Sequence, residues 1–252
     1  MIFSKSIVKT GLLFFAHQQH SCFSKKIPKS GFVFERRELV VGLVPKSIQQ
    51  KNYLSYLNDL ECSIVVGLGP AGTGKTLFAC HSAIQHLREN KVNKIVITRP
   101  SVSVDEDIGF LPGSILKKMD PFTRPLFDIF LDYYSQKEIN QFIQDNTIEI
   151  STLGFMRGRT FKDAFIIADE MQNSSPSQMK MLLTRLGDNS RLAITGDLRQ
   201  SDYIGQNGLH DFYSRLDGKV LPNIKLVEFS GVDVQRSPIV STIIQLYGEG
   251  GV

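Results

Sequence analysis

Hydrophobic and polar positions along the chain fall into short apolar runs separated by longer amphipathic stretches. From Lys46 onward six runs have the length and β-branched content of buried strands: Ser63–Leu68, Lys94–Arg99, Thr147–Ser151, Ala164–Asp169, Arg191–Asp197 and Ile224–Phe229. Helical spacing fills much of what lies between. One helix is expected from Gly74 to about Glu89, and helical patterning returns in PLFDIFLDYY and KEINQFIQ. Ser175, Pro176 and Gly187 punctuate a further helix, and Ser237-Pro238 opens a last one. Between residues 100 and 121, Pro100, Gly109, Pro112, Gly113 and Pro121 act as turn signals. Apolar strands alternating with amphipathic helices predict an α/β fold, a mostly parallel sheet covered by helices on both faces.

The first 34 residues do not share this pattern. They hold five lysines, five serines and no acid, which resembles an organelle transit peptide, although arginine is missing. A basic tail that is never removed fits equally well. A cytoplasmic protein is expected in the second case, and a mitochondrial or plastid one in the first. Against a total net charge of +4, the +5 of this leader leaves −1 for residues 35–252. Overall charge is thus no argument for a polyanionic partner, and any basic groove must be local. No apolar run approaches the ~18 residues of a membrane span. Cys22, Cys62 and Cys80 have no CxxC spacing, which argues against a disulfide framework or a zinc site.

GPAGTGKT, Gly69–Thr76, carries the clearest chemistry. It fits the phosphate-loop pattern and lies between an expected strand and an expected helix, the context that pattern requires. Gly69, Pro70, Ala71, Gly72, Thr73 and Gly74 would wrap backbone N–H groups around phosphates, aided by the helix dipole. Lys75 would reach the β- and γ-phosphates, and the Thr76 hydroxyl would ligate Mg²⁺.

A second element is ADEMQN, Ala168–Asn173, where two acids follow a core strand. Ligands of open parallel sheets bind beyond the carboxyl ends of the strands, so these acids share an edge with the phosphate loop. Asp169 is the expected Walker B acid on Mg²⁺, and Glu170 the group that prepares the attacking water. Gln172 both donates and accepts, and so can relay without carrying charge. In TGDLRQSD, Thr195, Asp197 and Gln200 would face the same crevice if their strand neighbours the other two. Gln200 can sense the γ-phosphate or cap a turn. Arg236, before the last helix, can serve as an arginine finger or as a surface residue.

GPAGTGKT, TRPSV (98–102), IGFLPG (108–113), MRGRT (156–160), IADEMQN and TGDLRQSD, in this order, resemble the PhoH-like ATPases across residues 46–247. The resemblance implies a single RecA-like domain related to superfamily-1 helicases, ATP and Mg²⁺ as ligands, and functions on single-stranded RNA or DNA. It implies that Gln50 recognises adenine, that Gln200 contacts the γ-phosphate and that Gln172 couples nucleotide state to the strand. It puts Arg236 in position to act on a neighbouring subunit's ATP, although Ser237 stands where relatives often have His. Arg99, Arg157 and Arg159 would line the nucleic-acid side. A lone RecA-like domain leaves half the phosphate uncovered, so a homo-oligomer is expected, a hexameric ring being the form relatives take. Two rival readings are a nucleotide-gated binding module with little turnover and a small-molecule kinase.

Overall fold

A computed structural model of the chain describes residues 43–100, 115–201, 207–236 and 238–246. They belong to one unit, Arg37–Val252. The leader lies outside the described residues, as do IGFLPG and the end of TRPSV. Among the described residues six strands form one sheet: β1 (Ile64–Leu68), β2 (Lys94–Thr98), β3 (Ile148–Ile150), β4 (Ala164–Ala168), β5 (Arg191–Gly196) and β6 (Ile224–Glu228). All pairings are parallel, in the order β3-β2-β4-β5-β1-β6. Each of the six runs read as a strand forms one, within a residue or two at the ends.

Among the described residues seven α-helices accompany the sheet: α1 (Ile48–Asn58), α2 (Lys75–Arg88), α3 (Ile115–Leu131), α4 (Gln136–Gln144), α5 (Pro176–Leu183), α6 (Gly208–Leu216) and α7 (Pro238–Leu246). The side chains of each strand alternate between two cores. Val65, Ile95, Ile97, Phe165 and Ile167 pack with residues of α1, α2, α3 and α4 on one face. Val66, Val96, Ile166, Leu192 and Ile194 pack with α5 and α6 on the other. Burial on both faces is why the strands read as continuous apolar runs. Cys62 and Cys80 are buried and free. Among the described residues no helix is long and apolar enough to cross a membrane.

Three helices depart from the expectation. α1 was not legible, because its apolar positions are sparse; only Gln50, Tyr53 and Leu57 are buried. α6 is likewise short, yet Leu209 and Phe212 anchor it and Asn207 caps it by accepting from the N–H groups of Leu209 and His210. α3 begins earlier than its sequence signals and runs through Pro121. A proline removes one intrahelical bond. Here complete burial of Leu126 and Phe130 further along the helix outweighs that loss.

Candidate nucleotide site

The strand order separates β1, which feeds the phosphate loop, from β4, which feeds the acids, by the single strand β5. All three carboxyl ends converge. Gly69 N donates to Gly196 O at 3.1 Å and Asp169 N to Thr98 O at 3.0 Å, so loop and acids start from fixed strand ends. Gly69 has to be glycine: its φ is +136°, and a Cβ there would lie 2.4 Å from Phe229 O. The loop then turns into α2 through Gly74, whose left-handed backbone precedes the first helical residue, Lys75.

The Thr76 hydroxyl donates to Asp169 Oδ1 at 2.7 Å, across 93 positions of sequence. Thr195 Oγ1 donates to the same oxygen at 2.5 Å. Arg99 Nη1 stands 3.8 Å from the other oxygen, Oδ2. Asp169 is only 3% exposed, and two hydroxyls and one guanidinium compensate its charge. Thr76 and Asp169 present the hard oxygen donors that Mg²⁺ prefers, on a hydrogen bond that fixes both. Thr195 was expected only to face the crevice; its direct bond to Asp169 had no local sequence signal.

Glu170 adopts φ 55°, a left-handed conformation uncommon for a residue with a Cβ. Strain of this kind concentrates at functional sites. Gln172 holds the Glu170 carboxylate: its Nε2 donates to Glu170 Oε2 at 2.5 Å, and its Oε1 accepts from Asp197 N at 3.2 Å. At 3% exposure Gln172 is an internal link between the acids and the end of β5. The Ser201 hydroxyl adds a bond to Gln172 O at 3.1 Å. Gln200 lies just beyond and is exposed, with its N–H donating to Asp197 O at 3.3 Å.

Lys75 curls over the loop, donating to Gly69 O at 2.5 Å and Pro70 O at 2.8 Å. Burial pushes its pKa down, partly opposed by Glu170, Asp197 and Asp169. A partly desolvated ammonium facing three carboxylates is suited to a multiply charged anion, because phosphate oxygens are stronger acceptors than carbonyls. Gln50 and Arg236 both touch the loop from outside. Gln50 Nε2 donates to Thr73 O at 3.1 Å, and Arg236 Nη2 to Ala71 O of the same chain at 3.0 Å.

The three arginines expected on a nucleic-acid side separate. Arg99 leans on Asp169. Arg159 forms a forked pair with Glu149, one bond being Nη2 to Oε2 at 3.0 Å, and covers the Phe161 ring at 4.6 Å. Arg157 is exposed, close to Phe155, which is 61% exposed. Both follow β3 at the edge of the sheet.

The family model described as "PhoH-like protein" matches residues 42–248. The chain belongs to the PhoH-like protein family. A PhoH-like protein of Mycobacterium leprae is 42% identical over 207 residues, which cover 81% of this chain and 58% of that one. A PhoH-like protein of Bacillus subtilis is 42% identical over 80% of this chain and 63% of its own length. Protein PhoH of Escherichia coli K12 is 36% identical over 77% of this chain and 56% of its own. The chain therefore spans somewhat more than half the length of these relatives. A Sulfolobus solfataricus SWI2/SNF2 ATPase core in complex with dsDNA overlays with a TM-score of 0.39 at 16% identity, over 61% of this chain and 32% of that one. Family membership and the meeting of loop and acids across β5 make this PhoH-like chain a P-loop NTPase built on an all-parallel sheet.

Proposed function

We propose that this PhoH-like chain hydrolyses ATP with Mg²⁺ and couples hydrolysis to single-stranded RNA or DNA. The observation that carries the hydrolytic half is the convergence of the Thr76 and Thr195 hydroxyls on one carboxylate oxygen of Asp169, with Glu170 in a left-handed turn directly after it. In this reading Thr76 and Asp169 hold the metal, which would neutralise charge on the β- and γ-phosphates. Lys75 grips the phosphates, and the loop N–H groups orient them. Glu170 accepts a proton from the attacking water, and Gln172 keeps its carboxylate aimed. A base that serves water favours hydrolysis over transfer to a second substrate.

The nucleic-acid half is supported by one local feature, the exposed Phe155 and Arg157 at the β3 edge, which combine a stacking ring with a cation. Self-association is supported by α7, where Ile239, Ile243 and Leu246 are exposed at helical spacing. A homo-oligomer, a hexameric ring as the family resemblance implies, would cover that stripe.

The deciding experiment is release of labelled γ-phosphate with Mg²⁺, with and without single-stranded RNA or DNA, across salt. Free phosphate in multiple turnovers is expected, falling about 10²–10⁴-fold in Glu170→Gln. Stimulation by the strand should decline steeply as salt rises. Stoichiometric binding with no turnover would leave a nucleotide-gated module, and label appearing on an acceptor would mean a kinase.

A further inference from the structure

Five consecutive carbonyls of the phosphate loop each have a donor. Lys75 takes those of Gly69 and Pro70. Arg236 takes Ala71 O at 3.0 Å, Gln235 N takes Gly72 O at 2.8 Å, and Gln50 Nε2 takes Thr73 O at 3.1 Å. The last three donors come from outside the motif, from α1 and from the segment that follows β6. With its carbonyls engaged by the surrounding chain, the loop is held in one curvature.

Gln50 is the centre of this arrangement. Besides Thr73 O, its Nε2 points at Asp233 O at 3.4 Å, and its Oε1 accepts from Lys46 N at 2.7 Å. One amide thus joins the start of α1, the loop and the turn at Asp233. Its backbone is fixed as well, since Gln50 N donates to the capping Ser47 hydroxyl at 3.2 Å. A primary amide has two N–H donors, and both are directed at main-chain carbonyls. The residue is 3% exposed. Reading a purine edge would cost Gln50 these contacts, and with them its hold on the loop and on the Asp233 turn. The other side of the harness is close-fitting too: a Cβ on Gly72 would stand 2.9 Å from Arg236 Nε.

We propose that Gln50 is a positioning residue for the phosphate loop, acting with the Asp233–Arg236 segment, and that its effect on nucleotide binding is blind to the base. The inference rests on the triphosphate reading above and replaces the adenine-reading role that the resemblance implies for Gln50.

The test compares ATP, GTP and inorganic tripolyphosphate, each with Mg²⁺, binding to the full chain and to Gln50→Met by calorimetry. Met has similar volume and no donor. Expected is a rise in Kd of about tenfold for all three ligands, with the ATP-to-GTP ratio unchanged. A loss confined to ATP, with tripolyphosphate unaffected, would make Gln50 a base reader and overturn the proposal. So would unchanged affinity for every ligand. If Gln50→Met does not fold, Gln235→Pro removes the donor to Gly72 O from the opposite side. Val234, at φ −68° and ψ 123°, already has the backbone that a following proline demands. The same uniform loss is expected there, and a base-selective or absent effect again counts against the proposal. Failure of the unsubstituted protein to bind any of the three is a separate result, and removes the triphosphate reading along with this one.

Discussion

The ends of β1, β4 and β5 and the edge at β3 both collect charged residues on one sheet, and they handle charge in opposite ways. At the first, Asp169 is buried and its partners, Thr76, Thr195 and Arg99, surround it. At the second, Arg159 is taken up by Glu149, which also accepts from Lys94 Nζ at 2.9 Å. An acid buried with hydroxyl donors can be shared with a metal, because the hydroxyls orient one oxygen while the cation beside it, Arg99, stands 3.8 Å from the other. An arginine already forked onto a carboxylate has little left for a polyanion. Motif membership therefore locates a residue near a function, and the neighbours decide whether it can perform it.

The largest effect that would break this contrast is at Thr195. Thr195→Val keeps the buried shape and deletes the donor to Asp169 Oδ1. If that hydroxyl orients the metal acid, the Mg²⁺ requirement for hydrolysis should rise about 10–100-fold. Mn²⁺ affinity in the presence of nucleotide, measured by electron paramagnetic resonance, should weaken in parallel, and Thr195→Ser should restore both. Normal metal affinity in the valine variant would reduce Thr195 to a core residue.

Next in size is the separation of Arg157 from Arg159. Arg157→Ala should leave the melting temperature unchanged, lower strand affinity several-fold and reduce the salt slope by about one. Arg159→Ala should do the reverse, with stability falling on the order of 1 kcal/mol because Glu149 loses its forked partner in a half-exposed setting. Equal effects of both substitutions on strand binding would erase the distinction between paired and exposed arginine.

These two regions also measure how far the sequence could be read. All six strands were legible, since two-faced burial writes itself as short apolar runs. GPAGTGKT and ADEMQN were legible because phosphate and metal chemistry demand particular residues at particular spacings. Pairwise choices were not legible. Nothing in RLAITGD marks Thr195 as the partner of an aspartate 26 positions earlier. Nothing in MRGRT says that its second arginine meets Glu149 while its first stays in solvent. The partners of the Gln50 amide, at Lys46, Thr73 and Asp233, had no local signal either. α1 and α6 were missed because two or three anchoring residues suffice for a helix that packs on an existing sheet.

The smallest effect concerns acid, and it sharpens the β3 side of the comparison. Burial pushes the Glu149 carboxyl up, but the hydrogen bonds from Arg159 and Lys94 and their positive charge together outweigh it and hold the group below the usual carboxylate range. A carboxyl with a lower pKa in the folded chain binds fewer protons there than when unfolded. Its contribution to stability is complete above the unfolded value of about 4.3 and is lost as pH falls through the folded value. The melting-temperature gap between the protein and Glu149→Gln should therefore be widest near neutral pH and close progressively below about pH 4.3. High salt should narrow the gap at neutral pH as well, because the partners are partly exposed to solvent. A gap that stays constant from neutral pH to pH 3 would mean that shape rather than charge holds Arg159 at this edge. The arginine would then be free in energetic terms to leave Glu149 for a phosphate, and the contrast between the two regions would fail at its weaker side.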